Sequence, residues 1–172
     1  RPDDLDEGEI SRAVIESVAE NTVDAVTASA MWAVIGGAPA VFAHRAINTL
    51  DAMVGHHDDR YEHFGWASAR LDDAAAWIPA RLTTALVLAP MALRRGGPAL
   101  VRTVRRQAAA HPSPNGGLIE AAYAHRLGIT LGGANRYGDR IEDRGILGTG
   151  PAPGPADIAR AVALRRRIGT SI

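Results

Sequence analysis

The 172-residue sequence contains no cysteine and no lysine. Without cysteine there is no disulfide, no thiolate chemistry and no sulfur-ligated zinc site. Without lysine there is no lysine nucleophile, no Schiff base and no P-loop lysine. All 19 basic residues are therefore arginine, and 19 acidic residues balance them, so the composition does not favour binding to nucleic acid or to an acidic surface.

The length is sufficient for one domain with a sizeable core. The sequence begins with Arg1 rather than Met, and no signal peptide opens it, so we expect it to be part of a longer polypeptide. No internal repeat and no strand pattern of any length is present. We therefore predict an all-α, membrane-associated protein with broken or re-entrant apolar helices, Gly/Pro-rich loops and little or no β-structure.

Two apolar stretches, residues 23–43 and 74–93, are each long enough to span a bilayer. Gly36, Gly37 and Pro39 interrupt the first stretch, and Arg81 with two prolines lies in the second. An arginine at membrane depth faces a protein interior or a water-filled cavity. Two alternatives remain open at this point, namely two true spans or helices that are buried or re-enter from one side. A cluster of arginines at positions 94–106 would lie on the cytoplasmic side.

Three carboxylates precede the first apolar stretch. Glu16, Glu20 and Asp24 recur every four residues, so on a helix they share an arc of about 80°. Ile10, Val14 and Val18 form the opposing stripe, which the pattern predicts to be the buried face. Like charges at this spacing repel one another, so either Mg²⁺ or arginines should offset them. The alternative interpretation is a solvated acidic helix face.

The segment 44–73 is polar and mostly helical in pattern, with a loop at His56 and His57, whose adjacent side chains do not favour a shared metal. Farther along, Trp66, Arg70, Asp73, Trp77 and Arg81 share one helical face, and the tryptophans are interpreted as core residues. Arg70 and Asp73 have the spacing of an ion pair.

The last third alternates helices with Gly/Pro-rich segments. An Arg-rich exposed helix is predicted at 96–110, a short helix at 118–127, and a glycine-punctuated turn with Asn135 and Arg136 at 132–138. We divide the chain into a helical core at 1–147, a Gly/Pro linker at 148–155, and a C-terminal amphipathic helix at 156–172 that Pro155 and Asp157 open.

Six motifs in order along the chain resemble one family, that of the cobalamin biosynthesis protein CobD/CbiB, adenosylcobinamide-phosphate synthase. They are Glu16-Ser17-x-Ala19-Glu20-Asn21-Thr22 with Asp24, Arg45-Ala-x-Asn48-Thr49-Leu50-Asp51, Phe64-Gly65-Trp66-Ala-x-Ala69-Arg70-Leu71-Asp72-Asp73, Trp77-Ile78-Pro79-Ala80-Arg81-Leu82, His111-Pro-Ser-Pro-Asn-Gly-Gly117 and Leu131-Gly132-Gly133-x-Asn135-Arg136-Tyr137-Gly138. The family's N-terminal part, which carries further hydrophobic segments, is missing from this sequence.

The resemblance implies a multi-pass cell-membrane enzyme of late vitamin B12 synthesis whose active site faces the cytoplasm. Such a ligase joins adenosylcobyric acid to aminopropanol, free or as its phosphate, through an amide bond, with ATP and Mg²⁺. Since ATP must activate the poorly electrophilic carboxylate, positioning and charge neutralisation matter more than a protein nucleophile. Implied partners are the corrinoid, the amino alcohol phosphate, the membrane and other late cobalamin-pathway proteins, with no nucleic acid.

Roles follow from the resemblance as hypotheses. Mg²⁺ would be held by Glu16, Glu20 and Asp24, and Glu20 is also a catalytic candidate. Asp51, Asp72 and Asp73 are second candidates for metal binding or for accepting the amine proton. His111 is a further catalytic candidate, because its rigid Pro-flanked loop could hold it in place. Phosphates would contact Arg45, Arg70, Arg81 and Arg136, with Asn21, Asn48, Asn115 and Asn135 as polar anchors. Because one active site requires a common face, we expect both apolar stretches to be re-entrant or buried, broken at 36–39 and around Arg81.

Two other classes fit the sequence. One is a membrane corrinoid-binding, transport or scaffold component without catalysis. The other is a soluble helical interaction domain whose core consists of the apolar stretches.

Overall fold

The computed structural model describes the backbone of residues 6–54, 62–137 and 140–172, and the side chains of residues 6–53, 65–134 and 143–172. Within these ranges the chain forms six α-helices and one β-hairpin. The helices are α1 (Glu7–Asn21), α2 (Ser29–Val54), α3 (Glu62–Ala92), α4 (Gly97–Ala108), α5 (Gly116–Leu127) and α6 (Pro155–Gly169). A π-helical segment, Thr22–Ala28, joins α1 to α2. The predicted helical class is confirmed.

Local sequence accounts for most helix ends. At the start of α1, the Asp6 carboxylate accepts the Glu9 N–H at 2.7 Å and the Glu9 carboxylate accepts the Asp6 N–H at 3.1 Å, which forms a capping box. Pro155 begins α6, where the Asp157 carboxylate accepts the Gly154 N–H at 3.0 Å. These contacts satisfy donors that the first turn of a helix leaves unpaired.

The predicted interruption of the first apolar stretch is confirmed. Gly36 and Gly37 have non-helical backbone angles, and Gly37 has φ of 62°, a conformation that favours glycine. By contrast, α3 runs continuously past Arg81 to Ala92, so the expected break there is wrong. Pro79 cannot donate to the Ala75 carbonyl four residues earlier, but the Trp32 indole N–H donates to that carbonyl at 3.3 Å. The carbonyl that Pro79 leaves without its helical donor is therefore still hydrogen-bonded.

The expectation of little β-structure is confirmed, since the described residues form only one small two-stranded sheet, but the turn expected at 132–138 is wrong because these residues lie largely in a strand. Strand β1 (Thr130–Tyr137) pairs antiparallel with β2 (Arg140–Gly148), with Leu131 opposite Leu147 and a bulge between Gly132 and Ala134. Gly132 has φ of 73°, and an added Cβ would lie 2.2 Å from the Gly145 carbonyl oxygen. The close approach of the two backbones therefore requires glycine at this bulge.

Helix α5 is the centre of the core. Its residues Ile119, Ala121, Ala122, Tyr123 and Ala124 are at most 1% exposed. It packs against α1, α3, α4, α6 and the hairpin. Because the first turns of α5 are surrounded in this way, the one acidic side chain there, Glu120, faces the interior rather than solvent.

Two apolar segments have the length and composition to cross a membrane, within Glu7–Met53 and Gly65–Ala92. Only 11% of the apolar window in the first is buried, against 39% in the second. Val34 and Phe42 are 88% and 74% exposed. A core helix of a soluble protein passes the same length and composition test, so the two segments are weak evidence for membrane association.

Candidate functional site

The carboxylate face of α1 points into the protein. Glu16 is 5% exposed, whereas Ile10 and Val14 are 45% and 37% exposed. The prediction that the apolar stripe is the buried face of α1 is therefore wrong. The Gly132 N–H at the hairpin bulge donates to Glu16 Oε1 at 2.8 Å, and Arg12 donates to the Gly132 carbonyl. These bonds hold the acidic face against the hairpin.

A carboxylic acid that the sequence analysis missed completes this group. Glu120 is 0% exposed on α5, and its carboxyl group interacts with that of Glu20. Burial, followed by the negative charges of Glu20 and Glu16, raises the pKa of Glu120 to about 9. Burial also raises the pKa values of Glu16 and Glu20, and the positive charge of Arg144 opposes this rise. At neutral pH, Glu120 is thus the protonated member of this pair.

His111 lies beside Glu120. His111 Nδ1 lies 3.0 Å from the Ser113 backbone nitrogen and 3.1 Å from the Ser113 carbonyl oxygen, so the Ser113 backbone holds the ring whichever nitrogen carries the proton; the other ring nitrogen is Nε2. That nitrogen is 3.6 Å from Glu120 Oε1. An added Cβ at Gly117 would lie 2.4 Å from the His111 Cβ, so glycine at 117 allows the ring to fold against the start of α5.

A second carboxylate pair lies at the junction of the π segment, α2 and α3. The Asn48 amide donates to Asp24 Oδ2 at 3.2 Å and to Asp72 Oδ1 at 3.3 Å, and Arg45 donates to Asn48 Oδ1 at 3.2 Å. Burial, followed by the charge of Asp24, raises the pKa of Asp72 to about 6. Asp51 adds a further negative charge near Asp72. One amide therefore holds together two acids that repel each other.

A third group joins α3 to the loop before α5. The Asn115 amide donates to the Asp73 backbone carbonyl at 2.9 Å and to its carboxylate at 3.3 Å. Arg81 donates to Asn115 Oδ1 at 3.0 Å, and its guanidinium lies 4.0 Å from the centre of the Trp77 ring. Asn115 is 7% exposed, so this network fixes the orientation of Arg81.

The two tryptophans on α3 are not core residues, contrary to the sequence interpretation. Trp66 and Trp77 are 61% and 53% exposed. Each ring instead contacts an arginine one helical turn later, Trp66 with Arg70 at 5.8 Å and Trp77 with Arg81 at 4.0 Å. Burial raises the pKa of Asp73, and the positive charge of Arg70 opposes that rise. The predicted Arg70–Asp73 ion pair stays a prediction.

Most of the predicted residues lie in one of these three groups, but not all. Asn21 is exposed and donates to the Ser17 carbonyl of its own helix at 2.9 Å. Arg70 is exposed beside Trp66. The side chains of Asn135 and Arg136, like His56 and His57, lie outside the described residues.

Glu120 and the buried pair Thr22–Tyr123, whose oxygens are 2.7 Å apart, were not predicted. The sequence did contain a clue to Glu120, since it is the single acid of a helix that is otherwise mostly apolar.

The fit of a divalent cation can be judged from the donor set. Among the described side chains, no group of three or more histidines and carboxylates is placed to hold a metal. Mg²⁺ usually takes one or two protein carboxylates and completes its shell with water and substrate phosphates. Buried carboxylates with raised pKa values fit this donor set, because a cation would offset their repulsion.

The fold and the site define a helical protein whose interior carries a row of carboxylates with arginine and asparagine partners, an arrangement suited to a cation and anionic groups. The profile of the CobD/Cbib protein family matches residues 1–165, and the chain belongs to this family.

Three proteins named cobalamin biosynthesis protein CobD are similar to it. That of Mycobacterium tuberculosis is 50% identical over 158 residues, which cover 91% of this chain and 50% of the relative. The Rhodobacter capsulatus protein is 46% identical over 167 residues, covering 96% and 52%. The Halalkalibacterium halodurans protein is 46% identical over 168 residues, covering 96% and 53%. The chain thus spans about half the length of these relatives, and no solved structure matches it.

Proposed function

We propose that the chain is the carboxylate-bearing part of an ATP-dependent ligase of cobalamin biosynthesis. The reaction joins a carboxyl group of adenosylcobyric acid to the amine of aminopropanol, free or as its phosphate, and yields adenosylcobinamide or adenosylcobinamide phosphate. The observation that carries the proposal is the convergence of Glu16, Glu20 and Glu120 in the protein interior. The names of the similar proteins support the pathway.

A carboxylate does not react with an amine until its oxygen becomes part of a leaving group. Transfer of a phosphoryl group from ATP would provide this activation, and it depends on positioning and on neutralising charge. Bound Mg²⁺ supplies charge neutralisation at the phosphates. The chain provides carboxylates and arginines for these tasks, and it contains no cysteine or lysine.

We assign the cation-facing role to Glu16, Glu20 and Asp24. Glu20 is the central member, since it contacts Glu120 and its charge also acts on Asp24. Asn48 and Asn115 accept hydrogen bonds from Arg45 and Arg81, and we assign these two arginines the role of contacting phosphate oxygens.

Asp72 is the best candidate for accepting the proton that the amine loses. Its pKa of about 6 is closer to neutral pH than the usual aspartate pKa, which makes it a stronger base while it stays ionised. Asp51 and Asp73 remain further candidates for this role, and the charge of Asp51 acts on Asp73.

Membrane attachment with the site facing the cytoplasm is part of the proposal, because ATP and the corrinoid are cytoplasmic. Met53 is 73% exposed and lies between the two apolar segments, whereas Glu7 lies before both. If the segments are re-entrant, Met53→Cys and Glu7→Cys will both resist a membrane-impermeant thiol reagent in intact cells. The full-length background must lack other accessible cysteines. Labelling of Met53→Cys from outside would instead indicate that the apolar segments cross the membrane.

A corrinoid-binding transport or scaffold component is the second candidate. The exposed apolar side chains of α2, including Val34 and Phe42, favour it as much as they favour a membrane enzyme. Product formation separates the two functions.

The experiment incubates the full-length protein in detergent with Mg-ATP, adenosylcobyric acid and aminopropanol phosphate, followed by mass spectrometry of the corrinoid. The ligase predicts a mass gain corresponding to one amide bond, only when ATP is present. Corrinoid binding by folded protein without any product would favour the scaffold function.

A further inference from the structure

Three arginines surround an open cleft that is separate from the carboxylate site. The cleft has a volume of about 230 Å³ and lies between the C-terminal end of α5 and one face of α6. It is lined by Arg126, Leu127, Arg160, Ala163, Leu164 and Arg167. Arg126 lies six residues after Glu120 on α5, so the two positions are about 9 Å apart along the helix axis and on different faces.

The spacing on α6 explains how the cleft becomes basic. Arg160, Ala163 and Arg167 follow a three- and four-residue spacing, so their side chains share one face of the helix. The small side chain of Ala163 leaves room between the two arginines. Arg126 reaches the same space from the neighbouring helix.

Arg160 is fixed in place by the protein. Its guanidinium donates to the Leu127 carbonyl at 2.6 Å and to the Asp157 carboxylate at 2.5 Å. The side chains of Arg126 and Arg167 make no hydrogen bond or ion pair within the part of the chain that the structure describes. Two guanidinium groups therefore keep their donors available beside a third that is already ordered.

Compensation of the helix dipole accounts for basic residues in the last turns of α5 and α6. It does not account for three arginines from two helices that line one cleft. Arg166 lies in the last turn of α6 as well and does not line the cleft. Three guanidinium groups around one cavity match the charge and the several acceptor oxygens of a phosphate group. We propose that this cleft binds a phosphate group, carried either by a soluble metabolite or by a lipid headgroup.

The test titrates inorganic phosphate into the full-length protein in detergent at constant ionic strength and follows thermal unfolding. A specific site predicts a saturable rise in melting temperature, because a ligand that binds only the folded state stabilises it. Arg126→Gln and Arg167→Gln should each weaken the apparent affinity about tenfold or more, as expected for loss of a charge-assisted hydrogen bond. Melting without phosphate checks that each variant folds.

Arg166→Gln is the matched control and should leave the phosphate response unchanged. A parallel measurement compares nanodiscs of phosphatidylcholine alone with nanodiscs that also contain phosphatidylglycerol. Stabilisation by phosphatidylglycerol that needs Arg126 and Arg167, without a response to free phosphate, would identify a lipid headgroup as the source. A response to free phosphate would identify a soluble ligand.

The proposal is overturned if neither phosphate nor phosphatidylglycerol stabilises the parent protein, or if Arg166→Gln weakens the response as much as the other two variants. The measurement requires no turnover, so it stands independently of the ligase assignment. Glu20→Gln, which alters the carboxylate site, should leave the phosphate response intact.

Discussion

Replacing Glu120 with glutamine should make the protein more stable at neutral and alkaline pH. The folded protein keeps Glu120 protonated up to a pKa of about 9, whereas the unfolded chain ionises this group near its ordinary pKa of 4.5. The contribution of this group to folding is therefore complete below about pH 4.5 and is lost as the pH rises toward 9. The glutamine side chain of the variant has a similar shape and cannot ionise.

The size of the effect follows from the two pKa values. Each pH unit between them costs about 1.4 kcal/mol of folding free energy. At pH 7 the Glu120→Gln variant should be more stable than the parent by about 3 kcal/mol, and at pH 5 the difference should fall below about 1 kcal/mol. Glu120 is 0% exposed, so solvent screening does not reduce this value.

The assay measures thermal or denaturant unfolding of full-length protein in detergent from pH 5 to pH 8, with a chelator to remove divalent cations. Glu7→Gln, at an exposed position in the first turn of α1, is the matched control and should follow the parent curve. Parallel curves of stability against pH for the parent and Glu120→Gln would refute the conclusion that Glu120 is a buried acid that stays protonated at neutral pH.

Two further predictions concern the packing around α5. Tyr123→Phe should destabilise the protein by about 1 kcal/mol, because it removes the 2.7 Å hydrogen bond to Thr22. A double-mutant cycle with Thr22→Val should give a coupling energy of similar size. Additive effects of the two substitutions would show that the side chains do not interact. Gly117→Ala should cost about 1–3 kcal/mol in denaturant unfolding, because its Cβ would overlap His111. Gly154→Ala, with no atom within 4 Å, should cost less than about 1 kcal/mol, as expected for alanine at a helix N-cap; a larger cost for Gly154→Ala than for Gly117→Ala would contradict the packing.

Helix positions were largely predictable because capping and breaking residues act locally. Pro155 and Asp157 fix the start of α6, and Gly36 with Gly37 interrupts α2, as the sequence indicated. Gly128 ends α5 with φ of 71°, a conformation that few other residues adopt. In these cases the physical cause lies within a few residues of its effect.

The orientation of α1 was not predictable from its own periodicity. Hydrophobic patterning assumes that the apolar stripe is buried, but here Glu16 is buried and Ile10 is exposed. The N–H that pairs with Glu16 comes from Gly132, 116 residues later, on a strand that the sequence analysis interpreted as a turn. The burial of an acidic face depends on such distant partners, which a local pattern does not contain.

The candidate site was predicted only in part, because it too depends on contacts between residues that are far apart in the sequence. Asp24, Asn48 and Asp72 were named from motifs, and the structure joins them through the Asn48 amide. Glu120 was missed because a single glutamate in a short helix has no periodicity to mark it. Only the packing of α5 against its neighbours places that residue beside Glu20.

The central claim is that Glu20 belongs to a cation-dependent ligase site, and the most direct test is product formation by Glu20→Gln in the full-length protein. The variant keeps the shape of the side chain and removes its charge, and Glu7→Gln serves as the control. We expect Glu20→Gln to form adenosylcobinamide phosphate at least about a hundredfold more slowly than the parent at a fixed Mg²⁺ concentration. A decrease of this size corresponds to the loss of a few kcal/mol of transition-state stabilisation. A cooperative unfolding transition checks that the variant is folded. Product formation at the parent rate with unchanged Mg²⁺ dependence would contradict the central claim.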